Sequence, residues 1–284
     1  MAQIREIKKR IKSIHNTQKV THAMELVAGA KMRKAQQQTL ASRPYSMTLN
    51  DIIAEVEAKI ELSDTLLSPN DSQTQIYILI TSDRGLAGGL NINLFREILK
   101  SDLKNVHYIT VGKKATTFAA KTNGQIIASF DSEEKEPLDL ARILTKMAID
   151  AYTSAKVSKV SLIYPHFLST IKQIPTQIQL LPIELKTSDQ LPTTNEQQPA
   201  DLLFEPTAGD ILKEILPHFV LTQIYQVLLE AKASEHSARM VAMKNATDAA
   251  GDLIEDLTLT YNQARQESIT TELLDIITAQ KALE

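Results

Sequence analysis

Cysteine and tryptophan are absent from this 284-residue sequence, and only 5% of its residues are aromatic. Without cysteine there is no disulfide framework, no thiolate metal ligand and no cysteine nucleophile. The sequence also lacks a run of about 18 apolar residues, which a membrane-spanning helix needs. Its net charge of −3 gives no general reason to expect nucleic-acid binding. With 43% hydrophobic and 23% charged residues, the chain can nevertheless bury a core.

Helix-breaking residues are scarce at both ends of the chain. All ten prolines lie between Pro44 and Pro217, and the segments 1–43 and 218–284 contain one glycine each, Gly29 and Gly251. Proline ends or kinks helices, and glycine costs about 1 kcal/mol inside one. Both ends can therefore form long helices, whereas the prolines and glycines of the middle segment indicate a domain of shorter elements joined by turns.

The N-terminal segment is predicted to be a coiled-coil helix from Ile4 to Ser42. Isoleucines recur there with the alternating spacing of a helix–helix seam, at Ile4, Ile7, Ile11 and Ile14. We expect Pro44 to kink or end this helix, and Met47–Ile60 to be helical again.

The seam changes character after its fourth isoleucine. The next seam positions are polar, namely Gln18, Thr21 and Glu25. An apolar stripe runs beside them, formed by Val20, Met24 and Val27. We therefore expect the interface to shift around the helix over this stretch.

A second long helix is predicted from His218 to Gln280. Its first part carries bulky apolar side chains, its centre is small, and bulk returns from Leu253 onward. Small side chains allow another helix to approach closely, or a thin rod to occupy a narrow space. The small residues are Ala231, Ala233, Ser234, Ser237, Ala238, Ala242, Ala246, Ala249, Ala250 and Gly251.

The two ends carry opposite charge. Residues 1–43 contain ten Lys and Arg against two Glu, and residues 218–284 contain five Lys and Arg against ten Asp and Glu. Antiparallel pairing of the two helices would bring these charges together. The alternative is a pair of solvated helix faces, since exposed ion pairs contribute little.

The middle of the chain alternates strand and helix patterns. Predicted strands are Gln75–Thr81, Val106–Val111, Gln125–Phe130, Lys159–Tyr164 and Thr176–Leu181. Predicted helices are Leu94–Leu103, Lys113–Lys121 and Leu138–Val157. This order indicates an α/β domain with a largely parallel sheet, inserted between the helical arms. The polar, proline-rich segment Leu191–Ala208 is expected to be a loop, which gives domain boundaries of 1–60, 70–200 and 208–284.

One glycine-rich turn is a candidate for phosphate binding. The string SDRGLAGGLN at Ser82–Asn91 follows a strand and precedes a helix, where backbone amides can approach a phosphate. It matches neither G-x-G-x-x-G nor G-x-x-x-x-G-K-[ST], and Gly112-Lys113-Lys114 lacks the rest of a phosphate loop. A structural tight turn is the alternative, and it is the one we favour.

No catalytic, cofactor or metal site is assigned from the residue patterns. His15 and His22 share a helix face two turns apart, His166 is expected in a loop, and all six histidines are expected on the surface. The acidic cluster Asp252, Glu255 and Asp256 reads as a solvated helix face. The basic run Arg5–Lys12 lacks interleaved aromatic residues, so helix pairing explains it better than nucleic-acid binding.

Three strings together resemble the gamma subunits of F-type ATP synthases in order, spacing and placement. They are IKSIHNTQKVTHAMELVAGAKMRKA at Ile11–Ala35, TSDRGLAGGLNINLF at Thr81–Phe95, and ASEHSARMVAMKNATDAAGDLIEDLTLTYNQARQESIT at Ala233–Thr270. The resemblance spans nearly the whole chain and is looser in the sheet region. It implies a long antiparallel coiled coil of the terminal helices with an inserted Rossmann-like α/β domain.

The resemblance also implies a function and a set of partners. Such a subunit is a non-catalytic rotor without a cofactor, present in one copy per complex. Its shaft stands in a hexamer of alpha and beta subunits, and its α/β foot binds the epsilon subunit and the c-subunit ring. The delta subunit belongs to the same complex. Rotation couples proton flow to ATP synthesis or hydrolysis at the beta-subunit sites.

Partner contacts are implied residue by residue. Arg265, Gln266 and Thr270 would contact beta-subunit loops near the upper shaft, with Met24 and Arg239 lower. Three basic residues, Lys31, Arg33 and Lys34, would face acidic beta-subunit loops. Phe204 and Glu205 would lie near the c ring.

The sequence departs from the family pattern at several positions. Gly29 stands where alanine is usual and is expected to loosen the shaft locally, and Ala87 stands where many members have cysteine. The cysteine-bearing insertion of chloroplast members is missing. A bacterial protein, peripheral on the cytoplasmic face of the inner membrane, is therefore expected, with a processed mitochondrial chain as the alternative.

Two other functions remain open from the sequence. One is a nucleotide-binding α/β protein with coiled-coil dimerisation arms, which tight nucleotide binding through Gly88 and Gly89 would support. The other is a self-associating coiled-coil scaffold, which a stable homodimer paired through the seam isoleucines would support.

Overall fold

A computed structural model describes residues 2–57, 65–101, 105–132, 134–183 and 208–283. Within these ranges the chain forms five helices and five strands. The helices are α1 (Ala2–Glu57), α2 (Leu90–Ile98), α3 (Lys113–Lys121), α4 (Pro137–Thr153) and α5 (Ala208–Leu283). The strands are β1 (Gln75–Ile80), β2 (Val106–Val111), β3 (Gln125–Phe130), β4 (Lys159–Phe167) and β5 (Gln173–Leu181).

The chain divides into two compact units. Unit 1 comprises Met1–Gly29 and Arg239–Glu284, and therefore contains the first half of α1 and the second half of α5. Unit 2 comprises Ala30–Ala238 and contains the sheet, the three short helices and the remaining parts of α1 and α5.

The sheet of unit 2 has the strand order β3-β2-β1-β4-β5. Neighbouring strands run parallel except β4 and β5, which form an antiparallel hairpin. This confirms the predicted largely parallel sheet. The order reverses beside β1, since β2 and β3 lie on one side of it and β4 and β5 on the other. In open α/β sheets ligands bind at the carboxyl edge beside such a reversal.

Helices cover both faces of the sheet. One face packs on α4 and the first half of α5, with Leu140, Leu144, Leu216 and Ile224 all buried in a single cluster. The other face packs on α2 and α3 through a smaller cluster that includes Leu94. Strand β1 alternates between the two clusters, which explains why its sequence reads as a continuous apolar run.

Helix α1 continues through Pro44, so of the two expectations for this proline the end of the helix is wrong, and the kink stays a prediction. Pro44 removes the hydrogen bond to the Leu40 carbonyl, but both residues lie on the exposed face, where water can serve that carbonyl. The opposite face stays buried on both sides of the proline, at Met32, Ala35, Thr39, Ser46, Leu49 and Ile53. Packing therefore keeps the helix continuous.

Helix α5 begins ten residues before the predicted start at His218, and Pro217 lies inside it. The acceptor left without its donor is the carbonyl of Lys213, on the exposed side of the first turns. Leu212 and Leu216 on the buried side pack into the core of unit 2. Burial of these leucines offsets the cost of the proline.

The other predicted elements need smaller corrections. The helix predicted at Leu94–Leu103 is Leu90–Ile98, and residues 102–104 lie outside the described residues. The helix predicted at Leu138–Val157 ends at Thr153. His166 does not lie in a loop, because β4 extends to Phe167 and pairs with β5 there. The segment 191–207 lies outside the described residues.

Candidate functional surface

The paired helices of unit 1 carry a continuous stripe of half-buried residues on each partner. On α1 the stripe comprises Ile4, Ile7, Ile11, Ile14, Gln18 and Thr21. On α5 it comprises Thr247, Gly251, Ile254, Leu257, Tyr261, Ala264 and Ser268. Both stripes advance in steps of three or four residues, which is the spacing of a coiled-coil seam. The predicted isoleucine seam is confirmed.

Polar contacts fix the direction of the pairing. The Nε2 group of Gln18 donates to the carbonyl of Thr247 at 3.4 Å, and the hydroxyl of Thr247 donates to that of Thr21 at 2.8 Å. Further along α1, Gly29 lies against Met240. Residues later in α1 thus meet residues earlier in α5, so the helices are antiparallel.

The predicted shift of the interface to the apolar stripe is wrong at Val20 and Val27, whereas Met24 is half-buried. Val20 and Val27 are 59% and 58% exposed, whereas Gln18 and Thr21 stay half-buried. Because Thr247 supplies a carbonyl and a hydroxyl as partners, the polar residues satisfy their hydrogen bonds inside the seam and need not leave it.

Gly29 marks a close approach of the two helices. A Cβ built on Gly29 would lie 3.2 Å from Sδ of Met240. Methionine has three rotatable bonds, and Met240 is half-buried, so its tip has room to move by a few tenths of an ångström.

Replacement of this glycine tests whether it loosens the helix pair. Gly29→Ala is expected to stabilise the chain by about 0.5–1 kcal/mol, since alanine restricts the unfolded chain and favours helix. A rise in melting temperature of the full chain, of roughly 1–4 °C, would show this. A fall would mean that Met240 cannot yield and that the small residue is required for packing.

The last part of α5 exposes a row of large apolar side chains. Every residue from 269 to 280 is exposed, whereas half-buried seam positions continue up to Ser268. Apolar side chains that are 47–63% exposed are Ile269, Leu273, Leu274, Ile276 and Ile277. Exposed apolar side chains concentrated on one segment indicate an interaction surface.

The outer face of α1 in unit 1 is basic. A shallow depression there is lined by Arg5, Lys8, Lys9, Ile11, Lys12, His15, Asn16 and Lys19. The lysines and arginines of this face are exposed to solvent. Such a face suits an acidic partner surface.

The predicted contact residues occupy three different settings. Arg265, Gln266 and Thr270 are exposed near the end of the seam, where the Thr270 hydroxyl donates to the Gln266 carbonyl at 2.9 Å. Met24 is half-buried, and Arg239 is only 9% exposed and engaged within the protein. Lys31, Arg33 and Lys34 are exposed on α1. Phe204 and Glu205 lie outside the described residues.

The glycine-rich turn after β1 is a self-satisfied tight turn. Asn91 Nδ2 donates to Ser82 Oγ at 2.7 Å, and the backbone N–H of Ser82 donates to Asn91 Oδ1 at 3.3 Å. Leu86 and Gly88 both have a positive φ, near 60°, which folds the chain back before α2. The turn closes on its own polar groups.

The start of α3, where a phosphate would bind, is occupied by protein groups. The N–H of Lys113 donates to Asp83 Oδ1 at 3.0 Å, and the N–H of Ala115 donates to Thr81 Oγ1 at 2.8 Å. Gly112 has φ +95°, and a Cβ there would lie 2.3 Å from the Thr81 carbonyl oxygen. The helix N-terminus is thus already capped by a carboxylate and a hydroxyl.

The crevice beside β1, where α/β sheets bind nucleotides, is filled by α5. The remaining cavity holds about 10 Å³ and is lined by Thr81, Ser82, Ser132, Lys232 and Glu235, among others. That is room for roughly one water molecule, whereas small-molecule sites need about 300 Å³ or more. This geometry disfavours the nucleotide-binding alternative.

The described residues lack two features that would bear on function. They contain no group of three or more His, Asp or Glu placed to hold a metal ion. None of the helices in the described ranges combines the length and hydropathy needed to cross a membrane.

Sequence reasoning missed a polar cluster in unit 2 around Glu230. Nδ1 of His166 lies 2.7 Å from Oε2 of Glu230, which is only 6% exposed. The only indication in the sequence is that Glu230 interrupts the apolar stretch of α5 that starts at Phe219. Its partner lies 64 residues away, so no local pattern could have paired them.

Solved structures with a similar fold are chains of ATP synthase rotors. A chain of the Euglena gracilis mitochondrial ATP synthase rotor has a TM-score of 0.69 at 18% identity and covers 94% of this chain and 99% of its own length. A chain from the central stalk and c-ring of the Tetrahymena thermophila mitochondrial enzyme has a TM-score of 0.60 at 21% identity, covering 80% and 99%. This chain therefore shares the fold of these two chains.

Sequence comparison identifies the family within that class. The family model described as ATP synthase matches residues 3–283. The ATP synthase gamma chain of Opitutus terrae is 40% identical and that of Moorella thermoacetica 38% identical, with 99% and 100% of each chain covered. This chain belongs to the ATP synthase gamma chain family. The family resemblance of the three sequence strings is thereby confirmed.

Proposed function

We propose that the chain is the central-stalk rotor subunit of a proton-translocating F-type ATP synthase. Its shaft turns within a hexamer of alpha and beta subunits, and its foot binds the epsilon subunit and the c-subunit ring. The delta subunit belongs to the same complex, which holds one copy of this chain. The observation that carries the proposal is the antiparallel helix pair, whose α5 end exposes Ile269, Leu273 and Ile277.

The geometry suits a rotating shaft that does no chemistry itself. The seam isoleucines pair with α5 of the same chain and are not left free to join a second copy, which disfavours the self-associating scaffold. The exposed apolar end and the basic face lie outside the seam, where surrounding subunits can contact them. Rotation of this asymmetric surface favours different conformations of the beta subunits in turn, and those subunits hold the catalytic sites.

The domain boundaries and location belong to the same proposal. Residues 1–60 and 208–284 form the shaft, and residues 70–200 form the foot. The complex stands on the cytoplasmic face of a bacterial inner membrane, where its F1 part supports ATP synthesis coupled to hydrogen ion transport. The chain itself is a peripheral subunit, not inserted into the membrane, and needs no cofactor.

Arg265 and Gln266 test the contact with the beta subunits. Arg265→Ala combined with Gln266→Ala is expected to weaken ATP synthesis in reconstituted vesicles, because two exposed polar anchors near the upper shaft are lost. The isolated variant should melt like the wild type, since neither side chain is buried. Unchanged ATP synthesis would contradict the contact assignment.

The last residues of α5 are expected to be dispensable. Removal of the residues after Gln280 should leave assembly and hydrolysis intact, because the half-buried seam ends at Ser268 and the apolar row at Ile277. Assembly is measured by gel filtration of the complex. Failure to assemble would show that the very tip carries an essential contact.

Stoichiometry tests the proposed function directly. Tagged chain is co-expressed with the alpha and beta subunits of its source, and the purified complex is weighed by native mass spectrometry. One copy per three alpha and three beta subunits is expected. Recovery of this chain as a homodimer without the other subunits would favour the scaffold instead.

A further inference from the structure

Glu230 is the centre of a buried hydrogen-bond network in unit 2. Its carboxylate accepts from His166 Nδ1 at 2.7 Å and from Gln226 Nε2 at 3.2 Å. The hydroxyl of Tyr164, which is 3% exposed on β4, lies 3.4 Å from Nδ1 of His166. Burial, and then the charge of Glu230, raise the pKa of the Tyr164 hydroxyl well above its ordinary value. The carboxylate thus has partners on its own helix and on the sheet.

The network continues to α1. The hydroxyl of Ser42 donates to Oε1 of Gln226 at 2.6 Å, and Gln226 is itself 9% exposed. One chain of hydrogen bonds therefore links β4, α5 and α1 through Glu230 and Gln226. These two helices are the ones that continue into the helix pair of unit 1.

The core contacts of α5 around this network are aliphatic, made by Leu216, Ile224 and Leu228. Two other polar contacts of α5 flank them: the Ser237 hydroxyl donates to the Thr170 carbonyl at 2.6 Å, and Nε2 of His218 hydrogen-bonds to the Tyr45 hydroxyl. Aliphatic packing is non-directional, so it resists separation of two surfaces more than a small slide between them. Hydrogen bonds depend steeply on distance and angle, and a buried carboxylate that loses a partner is costly. The network is therefore a buried, directional link that opposes such a slide of α5 against β4 and α1.

We infer that Glu230 is a positioning residue for torque transfer, fixing α5 to β4 through His166 and α1 to α5 through Gln226 and Ser42. The inference rests on the proposed rotor function. A foot turned by one partner can drive a shaft held by another only if the two do not slip. Without the network, the helices can move against the sheet under load while the fold persists.

The test measures protons pumped per ATP hydrolysed by the reconstituted ATP synthase. Vesicles carry the complex with wild-type chain or with Ser42→Ala, Glu230→Gln or His166→Leu. We expect each variant to hydrolyse ATP but to pump fewer protons per ATP. His166→Gln, which keeps a donor near Glu230, should restore much of the ratio. If Glu230→Gln or His166→Leu prevents folding, the proton-to-ATP ratio of the Ser42→Ala variant, which is the smallest change, tests the inference.

Two matched variants separate positioning from general destabilisation. Glu97→Gln makes the same chemical change in an exposed pair with Lys100 and should leave the ratio unchanged. Leu144→Ala weakens the core on α4, away from the network, and should lower the melting temperature without lowering the ratio. A wild-type ratio in the network variants, or an equal loss with Leu144→Ala, would overturn the inference. Wild-type complex that hydrolyses ATP without pumping would instead overturn the proposed function.

Discussion

Gly112→Ala is expected to destabilise unit 2 by about 3 kcal/mol or more. At φ +95° a residue with a side chain costs about 1–3 kcal/mol. The added Cβ would also lie 2.3 Å from the Thr81 carbonyl oxygen, which is fixed backbone. Relief requires β1 and β2 to separate where their carboxyl ends meet α3. Since domains are stable by only about 5–15 kcal/mol, the urea midpoint of the full chain should fall clearly.

Gly85→Ala is the matched control for this change. Gly85 lies in the neighbouring turn, has no positive φ, and a Cβ there meets nothing within 4 Å. The free energy of unfolding of this variant should stay within about 0.5 kcal/mol of the wild type, so its urea midpoint should hardly move. Equal midpoints for both alanine variants would show that the backbone at Thr81 and Gly112 moves apart to accept a side chain, which would contradict the close contact between them.

Ile11→Asp is expected to open the helix pair of unit 1. The substitution removes a half-buried seam isoleucine and places a carboxylate against the apolar stripe of α5. Together these effects cost about 2–4 kcal/mol. Hydrogen exchange of the amides between Ile4 and Thr21 should therefore accelerate by roughly 10- to 1000-fold. ATP synthesis by the reconstituted complex should also fall, because an opened helix pair no longer presents one fixed surface to the beta subunits.

Asn16→Asp controls for the added charge. Asn16 is exposed on the same helix, so its carboxylate stays in water and amide exchange should remain close to the wild type. If Ile11→Asp and Asn16→Asp exchange at the same rate, the seam isoleucines do not hold α1 and α5 together.

The regular elements could be predicted wherever local pattern and tertiary packing agree. The strands Val106–Val111 and Gln125–Phe130 and the helix Lys113–Lys121 have the predicted bounds, because turn residues bracket these short elements. The effect of the prolines was predicted wrongly where the local pattern and the tertiary packing disagree. A local rule gives Pro44 and Pro217 a penalty, but buried leucines and isoleucines on the opposite helix face offset it.

Contacts distant in sequence could not be predicted from spacing. Gln18 and Thr21 look like interruptions of an apolar seam until Thr247 is placed opposite them. His166 looks like a loop residue until β5 pairs with β4 and α5 brings Glu230 beside it. The partner surface is a different case: the individual contacts at Met24, Arg239, Arg265, Gln266 and Thr270 stay predictions, because they depend on other chains.

ATP hydrolysis by the alpha and beta subunits of the same source, with and without this chain, tests the central claim most directly. The account predicts that one copy joins the hexamer and that sustained turnover depends on it, because rotation of an asymmetric shaft is what carries each beta subunit through its conformations. Turnover that is the same with and without the bound chain would contradict the account.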